Sequence, residues 1–548
     1  MRVLALAVAA ICLSGCESRR DDRELREATI PRQSATDAER PEPARSSVPT
    51  LHPGAPPGIA WFDGGVDAAF ERARAESKPV LLYWGAEWCP YCADLEAYVF
   101  SRRDFQEKLE LFVPVYLDGD DPGAQKRADA FGVAGYPTVL ALGPDRAELA
   151  RIAGGMDVSV YTGVLDLVLS DVRPLDDLLA SIGAGSGALS ADDCRRLAYN
   201  GWGLDDSPAP DGVDFAAALA HAAARCPADA SVERARLTAF AASYATDAEI
   251  DAITRGREAS DPLVALVSGV RAIVADRALA VTVADALQYL DADFFRVAHR
   301  SAPERSARLR DDWSAAMDAV ADDDRYTEGD RLLAVRSKLA ALEALDPAGA
   351  IPADLAAEAK RRVDEALARA QGTPAMTGAV NAAVNLLVTL DDPERAYEIA
   401  ERAMATSKTP YYQMADLAWL DEQMGRTEAA ITWLERAYRQ SSGAATRFQW
   451  GTNYVRGLIR MRPEDEAGVR DAATAVLAEL DGPNRLYQRT LARLGALDES
   501  LREWSAGGEH ADTIAAIRAR MNEICGRIPA DEPAAIESCR AFLAPGGP

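Results

Sequence analysis

The chain carries the stretch Trp88-Cys89-Pro90-Tyr91-Cys92 directly after the apolar run Val80-Leu81-Leu82-Tyr83-Trp84. A second motif, Tyr136-Pro137-Thr138, opens another apolar run further along the sequence. Short apolar runs of this kind predict buried strands. We therefore expect a strand, a cysteine pair at the start of the helix that follows it, and a second strand that begins after a proline.

The spacing of the two cysteines indicates redox chemistry. Two cysteines separated by two residues can close a small disulfide, and the positive end of a helix stabilises a thiolate at the first of them. We expect Cys89 to be the nucleophile that forms a mixed disulfide with a partner, and Cys92 to be the thiol that resolves it. Two alternatives are an inert structural disulfide and half of a zinc site, but no second pair or paired histidines lie at ligand spacing.

The pattern around the motif predicts a small α/β domain. An amphipathic helix is expected around residues 66–73, and strands at residues 80–84, 111–117, 138–142 and 148–152. Helices are expected to follow Cys92, to begin near Arg102, and to span residues 123–131 and 158–169. This order, βαβ and then ββα, suits a mixed sheet with helices on both faces.

These motifs resemble the thioredoxin superfamily, and most of all its periplasmic branch, which includes the C-terminal domain of the membrane-spanning disulfide-bond electron transporter. In that family the residue before the motif, the two cysteines and a cis-proline carry function. The resemblance assigns these roles to Trp88, Cys89, Cys92 and Pro137. It also matches Glu96, seven residues after Cys89, to a family carboxylate that lies near the resolving cysteine and can move its proton.

Two features depart from the family pattern. Thioredoxins usually carry a buried Asp six residues before the first cysteine, and this chain has Tyr83 there. Glu96 would then have to serve proton transfer alone, unless it is simply a solvated helix residue. The dipeptide Pro90-Tyr91 is commoner in glutaredoxins, whereas Trp88 and the string Gly135-Tyr136-Pro137-Thr138 are thioredoxin-like, so glutathione is the weaker choice of reductant.

The first residues predict export and a lipid anchor. Residues 1–15 have a charged start and a short apolar stretch, typical of a signal peptide, and end in Leu13-Ser14-Gly15-Cys16, which resembles the bacterial lipobox. Cys16 would become the lipidated first residue; the alternative is an ordinary signal peptide cleaved elsewhere. Residues 16–57 are rich in charged residues, Pro and Ser, and predict a disordered tether before a redox domain at residues 58–173.

Composition limits the classes of partner. The chain of 548 residues is 48% hydrophobic, enough for two or three domains. A formal net charge of −26 argues against binding to nucleic acid or directly to anionic lipids. No later stretch approaches the roughly 20 apolar residues of a membrane-spanning helix, so the lipid is the expected membrane link. No cofactor and no metal are expected.

Residues 174–548 predict an all-α helical array. Small residues recur at an offset of 34 near residues 377–443, a spacing that matches tetratricopeptide repeats, with Gly425 at a turn between helices. The recurring positions are Ala396, Ala400 and Ala403, followed by Ala430, Leu434 and Ala437. We interpret the aromatic residues of the array as packing residues rather than a ligand groove: Trp202, Tyr411, Tyr412, Trp419 and Trp433.

The remaining cysteines suit an oxidising compartment. Cys194 and Cys226 lie on candidate helices that flank a loop rich in Gly and Pro, and Cys525 and Cys539 lie on the last two candidate helices. Pairing between neighbours in sequence would give two structural disulfides. A redox role for either pair is the alternative, although neither pair has the Cys-x-x-Cys spacing.

Two classes of function remain. The first is an enzyme: a lipid-anchored thiol–disulfide oxidoreductase on the periplasmic side of a bacterial membrane, with the reducing direction preferred. Its partners would be protein clients and, because the periplasm is kept oxidising, a membrane electron donor. The helical array would recruit one of them. The second class is a scaffold or assembly factor, in which the array does the work and the redox domain only docks.

Overall fold

The structure is a computed structural model of the whole chain. It describes residues 54–86, 89, 92, 95–119, 121–133, 135–153, 158–170, 173–183, 188–202, 214–254, 258–301, 303–345, 351–481, 486–530 and 532–544. Cys16 and Trp88 lie outside these residues, as do the predicted signal peptide and nearly all of the predicted tether.

The first domain is built on a four-stranded mixed sheet. Its strands are β1 (Val80–Gly85), β2 (Val113–Asp118), β3 (Thr138–Leu142) and β4 (Glu148–Ala153), in the spatial order β2-β1-β3-β4. β1 runs parallel to β2 and antiparallel to β3, and β3 is antiparallel to β4. The helices are α1 (Val66–Glu76), a π-helix (Glu96–Phe100), α2 (Arg103–Leu109), α3 (Pro122–Ala130) and α4 (Val158–Leu169).

Both faces of the sheet are buried, and this is why β1 is apolar throughout. Side chains alternate along a strand, so Leu81 and Tyr83 enter one core while Leu82 and Trp84 enter the other. The predicted α/β domain is confirmed, with small shifts at its boundaries. The strand expected at residues 111–117 begins at Val113, because Leu111 lies in the turn after α2 and is half exposed.

The rest of the described chain is helical, as predicted, and its helices pack around two further cores. Its helices are α5 (Leu175–Gly183), α6 (Ala191–Ala198), α7 (Phe215–Arg225), α8 (Ser231–Thr254), α9 (Asp261–Ala275), α10 (Arg277–Thr282), α11 (Ala284–Leu287), α12 (Ala292–Ser301), α13 (Pro303–Ala321), α14 (Glu328–Leu345), α15 (Ala353–Ala370), α16 (Met376–Thr389), α17 (Pro393–Met404), α18 (Pro410–Gln423), α19 (Thr427–Gln440), α20 (Ala444–Met461), α21 (Glu466–Leu477), α22 (Gln488–Trp504), α23 (Ala511–Cys525) and α24 (Pro533–Ala541).

The helix pairs α16–α17 and α18–α19 coincide with the repeat read from the sequence. Ala396, Ala400, Ala430 and Ala437 are all buried, and Gly425 takes a positive φ of 69° in the turn between α18 and α19. Small buried residues let paired helices approach closely. Assignment to the tetratricopeptide family stays a prediction.

The array packs against the α/β domain at several points. The backbone N–H of Ala375, just before α16, donates to the hydroxyl of Tyr98 in the π-helix at 3.0 Å. The N–H of Gly201 donates to the carbonyl oxygen of Arg151 in β4 at 2.9 Å. Lys126 on α3 lies 3.6 Å from a carboxylate oxygen of Glu532 near the last helix. The π-helix that follows the cysteine pair is therefore joined directly to the array.

Candidate redox site

The cysteine pair lies just beyond the end of β1. Cys89 and Cys92 form a disulfide, with their Cα atoms 5.2 Å apart. The N–H of Cys89 donates to the carbonyl oxygen of Ala86 at 3.0 Å, and the N–H of Cys92 donates to Cys89 Sγ at 3.1 Å. A backbone donor aimed at Cys89 Sγ would favour a thiolate on that atom once the disulfide is reduced. This arrangement singles out Cys89 as the more activated sulfur.

Pro137 directly precedes β3 and follows Tyr136, whose backbone lies near the disulfide. The Tyr136–Pro137 peptide bond is cis, and the Tyr136 carbonyl oxygen is 3.7 Å from Cys89 Sγ. The Tyr136 hydroxyl donates to the carbonyl oxygen of Gly119 at 3.2 Å, and its ring lies so close to Gly119 that a Cβ there would come within 2.3 Å. Gly119 is thus the residue that makes room for the Tyr136 side chain.

Glu96 lies in a pocket with Tyr83, the residue that replaces the family's buried Asp. Glu96 follows Cys92 by four residues in the sequence. The Tyr83 hydroxyl donates to Glu96 Oε1 at 3.0 Å. Burial raises the pKa of Glu96 to about 7, and the hydrogen bond from Tyr83 opposes this rise. Tyr83 therefore contacts Glu96 directly, and the role of Glu96 in proton transfer stays a prediction.

Tyr83 is held rigidly by other aromatic rings. Its ring stacks on Trp61 with centroids 6.0 Å apart and meets the Phe100 ring edge-on at 4.8 Å. Burial, with a smaller contribution from Glu96, raises the pKa of the Tyr83 hydroxyl well above its usual value. The hydroxyl therefore stays protonated and remains a donor toward Glu96.

The helical array closes the other side of the site. Four side chains from the array share one apolar cluster with Cys89 and Cys92: Tyr411 and Met414 on α18, Ala437 on α19 and Trp450 on α20. Cys89 is 3% exposed and Cys92 is fully buried. Sequence reasoning classed Tyr411 as a packing residue of the array and did not place Met414 or Trp450 near the cysteines. The adjacent aromatic residues Tyr411 and Tyr412 are visible in the sequence, but the sequence does not indicate which part of the protein they pack against.

Four other cysteines form two buried disulfides away from this cluster. Cys194 on α6 is bonded to Cys226 at the end of α7, and Cys525 on α23 is bonded to Cys539 on α24. Both bridges join helices that are neighbours in sequence. Throughout the described ranges, no three acidic, cysteine or histidine side chains come together as they would to hold a metal ion.

Comparison with known proteins gives one family match. Residues 66–169 match the model of a thioredoxin-like domain. A thioredoxin from Thermus thermophilus, solved in solution, matches 20% of this chain and 88% of its own length, with 28% sequence identity and a TM-score of 0.19.

Among relatives, the chain is 32% identical over 127 residues to thiol:disulfide interchange protein DsbD 1 of Pseudomonas aeruginosa, covering 21% of each chain. It is 34% identical over 98 residues to DsbD of Klebsiella pneumoniae, covering 17% of this chain and 16% of that protein. The chain therefore spans only about a fifth of the length of the curated relatives that it matches. The family match and these relatives together indicate thiol–disulfide oxidoreductase chemistry in the first domain. Among the described helices, none has the length and apolar character needed to cross a membrane.

Proposed function

From the premise that residues 66–169 form a domain of the thioredoxin superfamily, we propose that the protein is a thiol–disulfide oxidoreductase that reduces disulfides in client proteins. The observation that carries this proposal is the position of the Cys89–Cys92 disulfide beside a cis peptide bond. Cys89 Sγ lies 3.7 Å from the carbonyl oxygen of Tyr136, and the Tyr136–Pro137 bond is cis. An inert structural disulfide would not need a backbone donor aimed at one of its two sulfurs.

The proposed reaction passes two electrons to the client. The Cys89 thiolate attacks one sulfur of the client disulfide, a Cys89–client bond forms, and the second client sulfur leaves as a thiolate that takes up a proton. Cys92 then loses its proton to Glu96 and attacks Cys89 Sγ. The Cys89–Cys92 bond forms as the bond between Cys89 and the client breaks. The departing client sulfur leaves as a thiolate and takes up a proton, so the client is released as a dithiol and Glu96 returns its proton to solvent. Trp88, next to the nucleophile in sequence, is proposed to border the client-binding face.

The reducing direction requires a source of electrons. Reduction of the Cys89–Cys92 disulfide after each cycle needs a dithiol donor, and we propose a membrane protein for this role because the periplasm is kept oxidising. The proposed anchor is lipid on Cys16, with residues 16–57 as the tether between the membrane and the redox domain. Under this proposal the protein works on the periplasmic side of a bacterial membrane.

The order of attack is tested by trapping. In the full-length protein, Cys92→Ser should accumulate mixed disulfides with client proteins, because the resolving thiol is missing, whereas Cys89→Ser should accumulate none. Non-reducing gels followed by mass spectrometry of the trapped species give the readout. Equal trapping by the two variants would overturn the assignment of nucleophile and resolving cysteine.

A scaffold is the second candidate, and the burial of Cys89 under the array favours it. The two candidates differ in what the double variant Cys89→Ser, Cys92→Ser can do. If this variant, at normal abundance, restores a deletion strain as well as the wild type does, the scaffold candidate stands. The oxidoreductase candidate predicts no restoration.

A further inference from the structure

We propose that helices α18 and α20 of the array form a cover over the redox centre, and that this cover must separate from Cys89 before a reaction partner can reach it. The cover consists of Tyr411, Met414 and Trp450. The inference rests on the proposed function only in that it concerns access to the same sulfur.

In the structure, the cover blocks access of a reaction partner to Cys89 Sγ. Thiol–disulfide exchange requires the attacking sulfur to reach the sulfur under attack, and its rate depends on that access. In the structure Cys89 is 3% exposed, and Tyr411, Met414 and Trp450 are each no more than 3% exposed in the same apolar cluster. A protein partner cannot bring a sulfur to Cys89 while these side chains remain in place.

The cover and a client segment would compete for the same face of the redox domain, next to Tyr136. Tyr136 precedes the cis-proline, its carbonyl oxygen is 3.7 Å from Cys89 Sγ, and its side chain packs against the cluster that contains the cover. A client segment that pairs with the backbone at Tyr136 needs the space that the cover fills. The cover therefore acts as an intrachain competitor of the client, rather than as one wall of an open client pocket.

The third argument is that the cover can separate at limited cost. It meets the redox centre through a small apolar cluster, whereas the helices of the array are joined to one another by far larger cores. Opening therefore moves the array as a body and also breaks hydrogen bonds such as the one from Ala375 to Tyr98. In addition, the buried Nε1 of Trp450 has no hydrogen-bond partner among the described residues. A buried donor without a partner destabilises the closed arrangement, and contact with water on opening would relieve that penalty.

The reactivity of Cys89 then depends on the fraction of molecules in which the cover is open. If only the open form reacts, the observed rate of exchange at Cys89 is the intrinsic rate multiplied by the fraction of molecules that are open. Substitutions that weaken the cover should raise this fraction and speed the reaction. Residues that formed a client pocket would behave in the opposite way, because their loss would weaken binding.

The test measures how fast dithiothreitol reduces the Cys89–Cys92 disulfide in the full-length protein. One dithiothreitol sulfur attacks Cys89 Sγ and releases the Cys92 thiolate; the second dithiothreitol thiol then closes a ring and releases Cys89. Samples are quenched with N-ethylmaleimide and the modified peptides are quantified. We expect Trp450→Ala and Met414→Ala to be reduced roughly 10-fold faster or more than the wild type. Equal or slower reduction would overturn the cover.

The matched control is Trp419→Ala. Trp419 lies on α18 as Met414 does, but it packs against the main core of the array and not against the redox centre. Its loss should leave the reduction rate within about twofold of the wild type. Trp450→Phe keeps an aromatic ring and removes the N–H that lacks a partner, so it should be reduced no faster than the wild type. If Trp419→Ala speeds reduction as much as Trp450→Ala, the effect is general loosening and the cover is overturned.

A second readout separates this inference from the proposed function. The reduced proteins are mixed with a disulfide-bonded client, and client reduction is followed. Fast reduction of Trp450→Ala by dithiothreitol without any reduction of clients would refute the oxidoreductase and leave the cover intact. Equal rates for wild type and Trp450→Ala with both reagents would refute the cover and leave the oxidoreductase intact.

Discussion

At the scale of single residues, the pair Tyr83 and Glu96 shows how one substitution in a family pattern changes the chemistry of its neighbour. Where the family has a buried Asp, this chain has a phenol whose hydroxyl donates to Glu96. The hydrogen bond favours the carboxylate form of Glu96, while burial favours the protonated form. The pKa of about 7 that results suits a group that must take a proton from a thiol near neutral pH.

The first prediction concerns this proton transfer. If the Glu96 carboxylate takes the proton of Cys92, the rate of mixed-disulfide resolution should rise as pH increases through about 7. This rise in rate should be absent in Glu96→Gln. Tyr83→Phe removes a hydrogen-bond donor that lowers the pKa of Glu96, so the rise in rate should occur at higher pH. Single-turnover kinetics with a disulfide substrate across the pH range measure both effects.

Tyr161→Phe is the matched control for Tyr83→Phe. Tyr161 is also fully buried in the same core, but its hydroxyl has no hydrogen-bond partner among the described residues. Its removal should leave the pH profile of the wild type unchanged. An identical shift in Tyr161→Phe and Tyr83→Phe would contradict a specific role for the hydrogen bond to Glu96.

Glu96 also makes stability depend on pH. Because its pKa is raised in the folded protein, the folded state holds this proton more tightly than the unfolded chain does. The resulting stabilisation is complete below the ordinary value of 4.5 and is lost as pH rises through about 7. The free energy of unfolding of the wild type should therefore fall over this interval relative to that of Glu96→Gln. Urea titrations at several pH values check the sign, and a parallel dependence in both proteins would contradict it.

At the scale of helices and strands, local pattern carried most of the prediction. The strand Thr138–Leu142 and the helix Val158–Leu169 occur at the predicted residues, because an uninterrupted apolar run and a helical period each specify one kind of element. The π-helix Glu96–Phe100 was not predicted, since its hydrogen bonds depend on tertiary packing around Tyr83 and the array rather than on a local signal.

Helix α20 packs closely against α21. Gly451, next to Trp450 in α20, faces Val476 of α21, and a Cβ at this glycine would lie 2.7 Å from a methyl carbon of Val476. Gly495, in the middle of α22, has no atom within 4 Å of the same position. The same substitution should therefore have opposite effects at the two glycines.

We predict that Gly451→Ala destabilises the protein by about 1–3 kcal/mol through overpacking. Gly495→Ala should stabilise it by about 1 kcal/mol, because alanine loses less backbone entropy in an exposed helix. Denaturant unfolding of the two full-length variants measures both values. Stabilisation by Gly451→Ala would show that α20 and α21 lie further apart than the structure places them.

At the scale of the whole molecule, the redox centre belongs to both parts of the chain. The sequence predicts a redox domain at residues 58–173 that holds Cys89, Cys92, Glu96 and Pro137, all of which precede the array. The structure adds the cover formed by Tyr411, Met414 and Trp450. These residues lie more than 300 positions from the cysteines, and no local pattern in a single sequence specifies which distant helix faces which domain.

The net charge of −26 also acts at this scale, because it opposes adhesion to anionic lipid headgroups. A bare electrostatic attachment to the membrane would therefore be unfavourable, and the described residues contain no membrane-spanning helix. Under the proposed function, attachment depends on lipid at Cys16. Hydrophobic anchoring by acyl chains, unlike ionic adhesion, is not weakened by salt.

The last prediction tests this anchor. The wild-type protein should sediment with membranes and stay there through a wash at high ionic strength, and detergent should release it. Cys16→Ala should appear in the soluble fraction, while its purified form should keep the wild-type rate of Cys89–Cys92 reduction by dithiothreitol, because Cys16 is remote in sequence from the redox centre. Cys89→Ala is the matched control and should remain with the membranes. Continued sedimentation of Cys16→Ala, with the wild-type response to salt and detergent, would contradict the lipid anchor and require a different attachment.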